Sequence, residues 1–165
     1  MKTYVGIDNG VTGSIGVIHE HGCDFILTPV RKEQNYTKKH DEITRLDVAG
    51  FMDYMKNLKK VSSDMLVLLE RPLVNPKMWK ATLSAVRCLE AQQCILEALE
   101  IPFMFVDSKE WQKTELPKGT SGTAELKKAS VDMGRRLFPQ FSALITKHKD
   151  ADGLLMAHYA QKEKL

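Results

Sequence analysis

The run MLVLLE, residues 65–70, places five apolar residues in a row and ends on an acid. A continuous apolar run of strand length, without polar alternation, marks a strand covered on both faces. Such a strand needs helices on two sides of its sheet, which confines the chain to a layered α/β architecture. IPFMFVD, residues 101–107, repeats the pattern and again ends in a carboxylate. Near the start, YVGIDNGVTGSIGVI, residues 4–18, carries strand formers on either side of a Gly-rich turn. Residues 3–8, 13–19 and 23–30 read as three strands of an antiparallel meander, with 65–70 and 101–107 as two further strands.

Helical spacing fills the intervals. Leu46, Ala49, Met52, Met55 and Leu58 mark a helix over 46–60, with Asp47 in its first turn. A long helix is expected over about 78–99, with Val86, Leu89, Leu96 and Leu99 on its core face and Gln92, Gln93 and Glu97 off it. A short helix follows at 108–114, and ELPKGTSG reads as a loop. Leu126, Ala129, Met133 and Leu137 mark a helix stopped by Pro139, and the last helix is expected over 150–162. The polar segment 31–44, RKEQNYTKKHDEIT, reads as an exposed loop. These elements give a mixed five-stranded sheet with helices packed on it. No repeat or linker divides the chain, so residues 1–165 are expected to form one domain.

Composition narrows the class. Hydrophobic residues at 43% and charged residues at 27% describe a globular chain of 165 residues. No apolar run approaches the ~18–20 residues of a membrane helix, and no secretory leader precedes the first strand; a cytoplasmic protein is expected. Cys23, Cys88 and Cys94 lack metal-ligand spacing and read as reduced thiols. The net charge of +3 is mild, and the whole excess falls from Asp107 onward.

The chemistry lies in acids at the ends of strands. Asp8 closes the first strand with no Arg or Lys between Lys2 and Arg31 to pair with it. A carboxylate losing its hydration there needs a partner from elsewhere in the chain or a bound cation. Glu70 closes the fourth strand, and ligands gather at the carboxyl ends of central strands. If strands one and four are parallel neighbours, Asp8 and Glu70 sit side by side, and either one is protonated or a cation lies between them. Asp150 and Asp152 open the last helix. Hard oxygen ligands suit Mg²⁺ or Mn²⁺. Two such ions about 3.5–4 Å apart would activate a water and stabilise the leaving oxygen of a phosphodiester. The plainer reading has Asp8 capping the Gly10–Gly13 turn and Glu70 bridging to Arg71.

GIDNG with Gly13, LLERP, VDSKEWQK and the terminal DADGLLMAHYA resemble the RuvC-type Holliday-junction resolvases of the ribonuclease-H-like superfamily, the small phage-encoded members above all. The resemblance covers nearly the full length, in matching order. It implies a ribonuclease-H-like fold with helices on both faces of the sheet. The family's first catalytic acid carries over to Asp8, its second to Glu70 and its last to Asp152. It also implies a homodimer that binds four-way DNA junctions and hydrolyses two symmetric strands with Mg²⁺. Lys149 stands where the family usually has Asp or His, three residues before the final acid. Asp150 is the favoured fourth ligand and His148 the alternative; on a regular helix His148 would share a face with Asp152 and Asp150 would not. The plainer reading of His148 is a solvated loop residue.

For DNA contacts the candidates are Lys113, Lys118 and Lys149, the last beside the scissile phosphate. Leu73, in the Pro-rich turn RPLVNPKMW after Glu70, is a candidate wedge at an opened junction, together with Met78 or Trp79. Asp8, Gly10 and Thr12 also fit the DxGxT phosphate loop of sugar kinases, but a second such loop is missing. The remaining alternatives are a related nuclease on other branched DNA or RNA–DNA hybrids, and a non-catalytic binder of DNA junctions.

Overall fold

The computed structural model of the protein describes residues 2–38 and 40–165. Along the chain the strands and helices are β1 (Thr3–Ile7), β2 (Ser14–His19), β3 (Gly22–Leu27), β4 (Val30–Gln34), β5 (Glu42–Leu46), α1 (Val48–Val61), β6 (Met65–Glu70), α2 (Trp79–Ala98), β7 (Phe103–Val106), α3 (Ser108–Glu115), α4 (Thr123–Leu137), α5 (Ser142–His148) and α6 (Asp152–Glu163). The main sheet has the order β3-β2-β1-β6-β7. β1–β3 form the antiparallel meander, whereas β1, β6 and β7 run parallel. This is the mixed five-stranded sheet that the apolar runs predict.

Strand alternation sorts the side chains into two layers. Val5, Ile7, Val67 and Leu69 pack against α1 and α2, with Phe51, Met55 and Ile95. Tyr4 and Leu68 face the other way, into a core shared with Trp111 of α3, Ile145 of α5 and most of α6. Asp8 and Glu70 follow the even-numbered parity of this second layer. The parallel register that pairs Ile7 with Leu69 sets them next to each other just beyond the last pair.

α6 is buried nearly all round, from Gly153 to Ala160, as befits a helix enclosed by the core. It lies directly on the backbone of β1 and β2, because Gly6 and Gly16 are cross-strand partners and carry no side chains there. A Cβ on Gly6 would stand 2.2 Å from the Gly153 carbonyl oxygen, and one on Gly16 would stand 2.4 Å from the Leu154 Cα. This backbone-to-backbone seat is what carries the start of α6 to the end of β1.

Three expectations are corrected. Segment 31–44 is no simple loop: β4 and β5 make a separate antiparallel ladder, in which Glu33 pairs with Arg45 at 2.8 Å and also with Arg31. Polar residues hide this hairpin because ion pairs and backbone bonds, rather than an apolar face, hold it. Leu46 ends β5 instead of starting α1. Pro139 does stop α4, which ends at Leu137 as expected, and a 3₁₀ turn at Pro139–Phe141 then leads into α5, a helix no expectation covered. On α2, Gln92 is fully buried while Val86 is 40% exposed, the reverse of the expected sides.

Candidate active site

The acids come from three places in the chain. Asp8 follows β1, and its backbone N–H donates to the Ser14 carbonyl at 3.0 Å, closing the β1–β2 turn. Gly13 is required in that turn, for a Cβ there would stand 2.0 Å from the Asp8 carbonyl oxygen. Glu70 ends β6. The other two acids flank the start of α6, and here the backbone departs from the expected helix over 150–162. Lys149 caps α5 in the left-handed region at φ 74°, Ala151 is non-helical at φ −131°, ψ 23°, and α6 begins at Asp152. Asp150 is therefore outside the helix. Helical periodicity, which would send it away from Asp152, does not apply to it.

The result is a compact set. One carboxylate oxygen each from Asp8, Asp150 and Asp152 lies within 4.8 Å of the others. Glu70 flanks Asp8 closely enough to accept a hydrogen bond from the protonated Asp8 carboxyl. His148 is enclosed rather than solvated. Its Nε2 sits 3.3 Å from Asp150 Oδ1 without hydrogen-bond alignment, and its ring stands edge-on to Phe25.

Electrostatics mark the cluster as short of positive charge. Burial, then the charges of Asp152, Glu70 and Asp150, push the Asp8 carboxyl well above the usual carboxylate range. Burial also raises Asp152, to about 7, with Asp150 adding repulsion, while Ser130 and the nearby Lys127 pull the other way. Glu70 is raised by burial against the opposing pull of its hydrogen bonds from Trp111 and Asp8. Asp150 Oδ1 is buried and makes no hydrogen bond among the described residues. Hard oxygen donors, crowded and unneutralised, fit a divalent cation such as Mg²⁺ or Mn²⁺. The site residues can hold such an ion.

Neutral donors fix the acids in place. The Ser130 hydroxyl of α4 donates to Asp152 Oδ1 at 2.5 Å and accepts from the Ala151 N–H at 2.9 Å. The Ser14 hydroxyl accepts from the Gly153 N–H at 3.2 Å. The Trp111 indole N–H donates to Glu70 Oε1 at 3.0 Å. Sequence reasoning passed over these three. Ser130 had a signal: it stands four residues after Leu126 and three before Met133, a polar residue within an apolar stripe.

The residues expected to touch DNA lie outside the acid cluster. Lys113, Lys118 and Lys149 are exposed. Lys113 and Lys118 border, with Lys109, Thr120 and Ser121, a groove of about 460 Å³. Leu73 is 81% exposed and rims a cleft of about 290 Å³ that reaches Glu70 and Asn9. Arg71 does not bridge to Glu70. No helix among the described residues is long and apolar enough to cross a membrane.

No protein-family model and no curated protein sequence matches the chain. Solved structures do match. Thermus thermophilus RuvC in complex with a Holliday junction substrate superposes with a TM-score of 0.60 at 13% identity, over 99% of this chain and 96% of that one. A second Thermus thermophilus RuvC structure gives a TM-score of 0.52, also at 13% identity, over 98% and 96%. At that identity the likeness is one of architecture: from end to end, this chain has the ribonuclease-H-like fold of RuvC.

Proposed function

We propose that the protein is a divalent-metal-dependent endonuclease that resolves four-way DNA junctions as a homodimer. The observation that carries this reading is the meeting of Asp8, Asp150 and Asp152, with Glu70 alongside, on a fold shared with a junction-bound resolvase. These four acids are the proposed catalytic and metal-binding set, sufficient for two ions. Ions held there would supply the Lewis acidity for phosphodiester hydrolysis, with Mg²⁺ as the natural choice and Mn²⁺ as substitute.

The chain's own residues do the rest. Asp8, the most crowded carboxylate, releases its proton when positive charge enters. Lys149, beside Asp150 in the chain, is the proposed partner for the scissile phosphate. Lys113 and Lys118, which both line the groove, would hold the backbone of a duplex arm. Leu73, exposed at the rim of the cleft that reaches Glu70, is the proposed wedge between bases at the junction centre.

A two-fold junction cut on two strands calls for two related sites. On α2, Trp79, Leu83 and Val86 recur at helical spacing and are 65%, 40% and 40% exposed. That apolar stripe, adjoining Leu73 and Met78, is the proposed face for a second copy of the chain.

The test is cleavage of a four-way junction, a fork, a plain duplex and an RNA–DNA hybrid with Mg²⁺, with Mn²⁺ and with chelator. Metal-dependent paired nicks in the junction are expected. Cleavage of the hybrid or fork in preference would assign a different substrate within the same chemistry. Tight junction binding without nicks under any metal would make the protein a binder of DNA structure.

A further inference from the structure

The acids of the site differ in how much freedom they must lose. Three are Asp; Glu70 alone has a third rotatable side-chain bond, and it reaches the cluster from the flank. Arg71 cannot steady it, because its guanidinium goes to Asp107 at 3.0 Å and lies over the Phe105 ring. What does meet Glu70 is the Trp111 indole, wholly buried under α3 with its N–H 3.0 Å from Oε1.

We propose that Trp111 is a positioning residue for the metal site: its indole N–H fixes Glu70 Oε1 and thereby presents the carboxylate to a divalent cation in one orientation. This rests on the metal-site reading above. An indole N–H is a donor only, single and directional. It orders a carboxylate without neutralising it, whereas Lys or Arg at the same point would compete with the cation. Ser130 treats Asp152 in the same manner, with a neutral hydroxyl donor. α3 otherwise carries mainly charged and polar residues (SKEWQKTE), so Trp111 is its anchor in the core. Phe would serve that packing; only Trp brings the donor. Partners one layer behind a metal ligand orient it and commonly set its affinity.

The experiment compares Trp111→Phe and the replacement of Trp111 by 3-benzothienylalanine, in which sulfur stands for the N–H and the ring shape is kept. Mn²⁺ binding to DNA-free protein is measured by calorimetry, alongside thermal unfolding. Loss of the N–H should weaken Mn²⁺ binding by about ten-fold in both variants. A benzothienyl protein that binds Mn²⁺ within two-fold of the parent, whatever its melting temperature, would overturn the proposal. No Mn²⁺ binding by the parent protein would overturn the metal-site reading, and this inference with it. Should neither variant fold, Ca²⁺ added to the unaltered protein decides. The blue emission of buried Trp111, distinct from that of exposed Trp79, should respond to the ion, and its indifference would reject the proposal.

Discussion

Arg71 Nη1 lies 3.0 Å from Asp107 Oδ1, so the one cation next to Glu70 in the chain is spent on a different acid. Neighbouring residues of a strand point to opposite faces, and the exit of β6 obeys that rule. Glu70 is left facing Asp8 across the parallel pair, while Arg71 meets the edge formed by Phe105 and Asp107. The acid cluster thus has no internal counter-charge from this strand, and its protonation responds to ions from outside.

That response has a sign. Asp8, Glu70 and Asp152 all have folded-state values above their ordinary ones. The metal-free folded chain therefore holds these protons more tightly than the unfolded chain does. The stability they contribute is complete below roughly pH 4 and is lost as pH rises through the folded values, Asp152 passing at about 7. In chelator, the melting temperature should be lower at pH 8 than at pH 5.5, and millimolar Mg²⁺ or Mn²⁺ should narrow the gap. A gap untouched by either ion contradicts the assignment.

Asp8→Asn removes the most strained charge. Cleavage should disappear while junction binding persists. The metal-free variant at pH 8 should melt higher by a few degrees, since about 1 kcal/mol shifts a chain of this size by ~2–4 °C. Retained cleavage would remove Asp8 from the catalytic set.

Gly6→Ala tests the seat of α6. The added methyl meets backbone at 2.2 Å and 2.6 Å, from Gly153 and Ala157, and neither can swing aside. Overpacking of this kind costs about 1–3 kcal/mol. Because the displaced helix carries Asp152, activity should fall further than the melting temperature explains. An alanine variant with parental stability would mean that α6 sits higher on the sheet.

Ser130→Ala leaves the Ala151 N–H buried without its acceptor and Asp152 without its donor. The expected loss is about 1–3 kcal/mol in unfolding free energy, together with weaker Mn²⁺ binding. Destabilisation with unchanged affinity would limit Ser130 to holding the backbone.

The sheet was legible because its strands announce themselves: MLVLLE is apolar on both sides, and the β1–β2 run alternates around a Gly-rich turn. Asp8 and Glu70 followed from their places at strand ends. The β4–β5 hairpin was hidden, since Arg31, Glu33 and Arg45 stabilise it by pairing across strands in a polar segment. Asp150 was read in a helix it does not join, because nothing in KHKDAD betrays that Lys149 takes a left-handed conformation. Trp111 and Ser130 act through contacts 41 and 22 residues away in sequence, beyond what local spacing reports.

The break between α5 and α6 also bears on how this chain can vary. Its bend aims Asp150 and Asp152 at a common point, and one inserted residue would swing an acid by about 100° if taken up as helix. Length changes belong instead in the turn between β2 and β3, where no proposed site residue hangs on the count. Between positions 148 and 152 the chain behaves as a spacer with a single permitted setting.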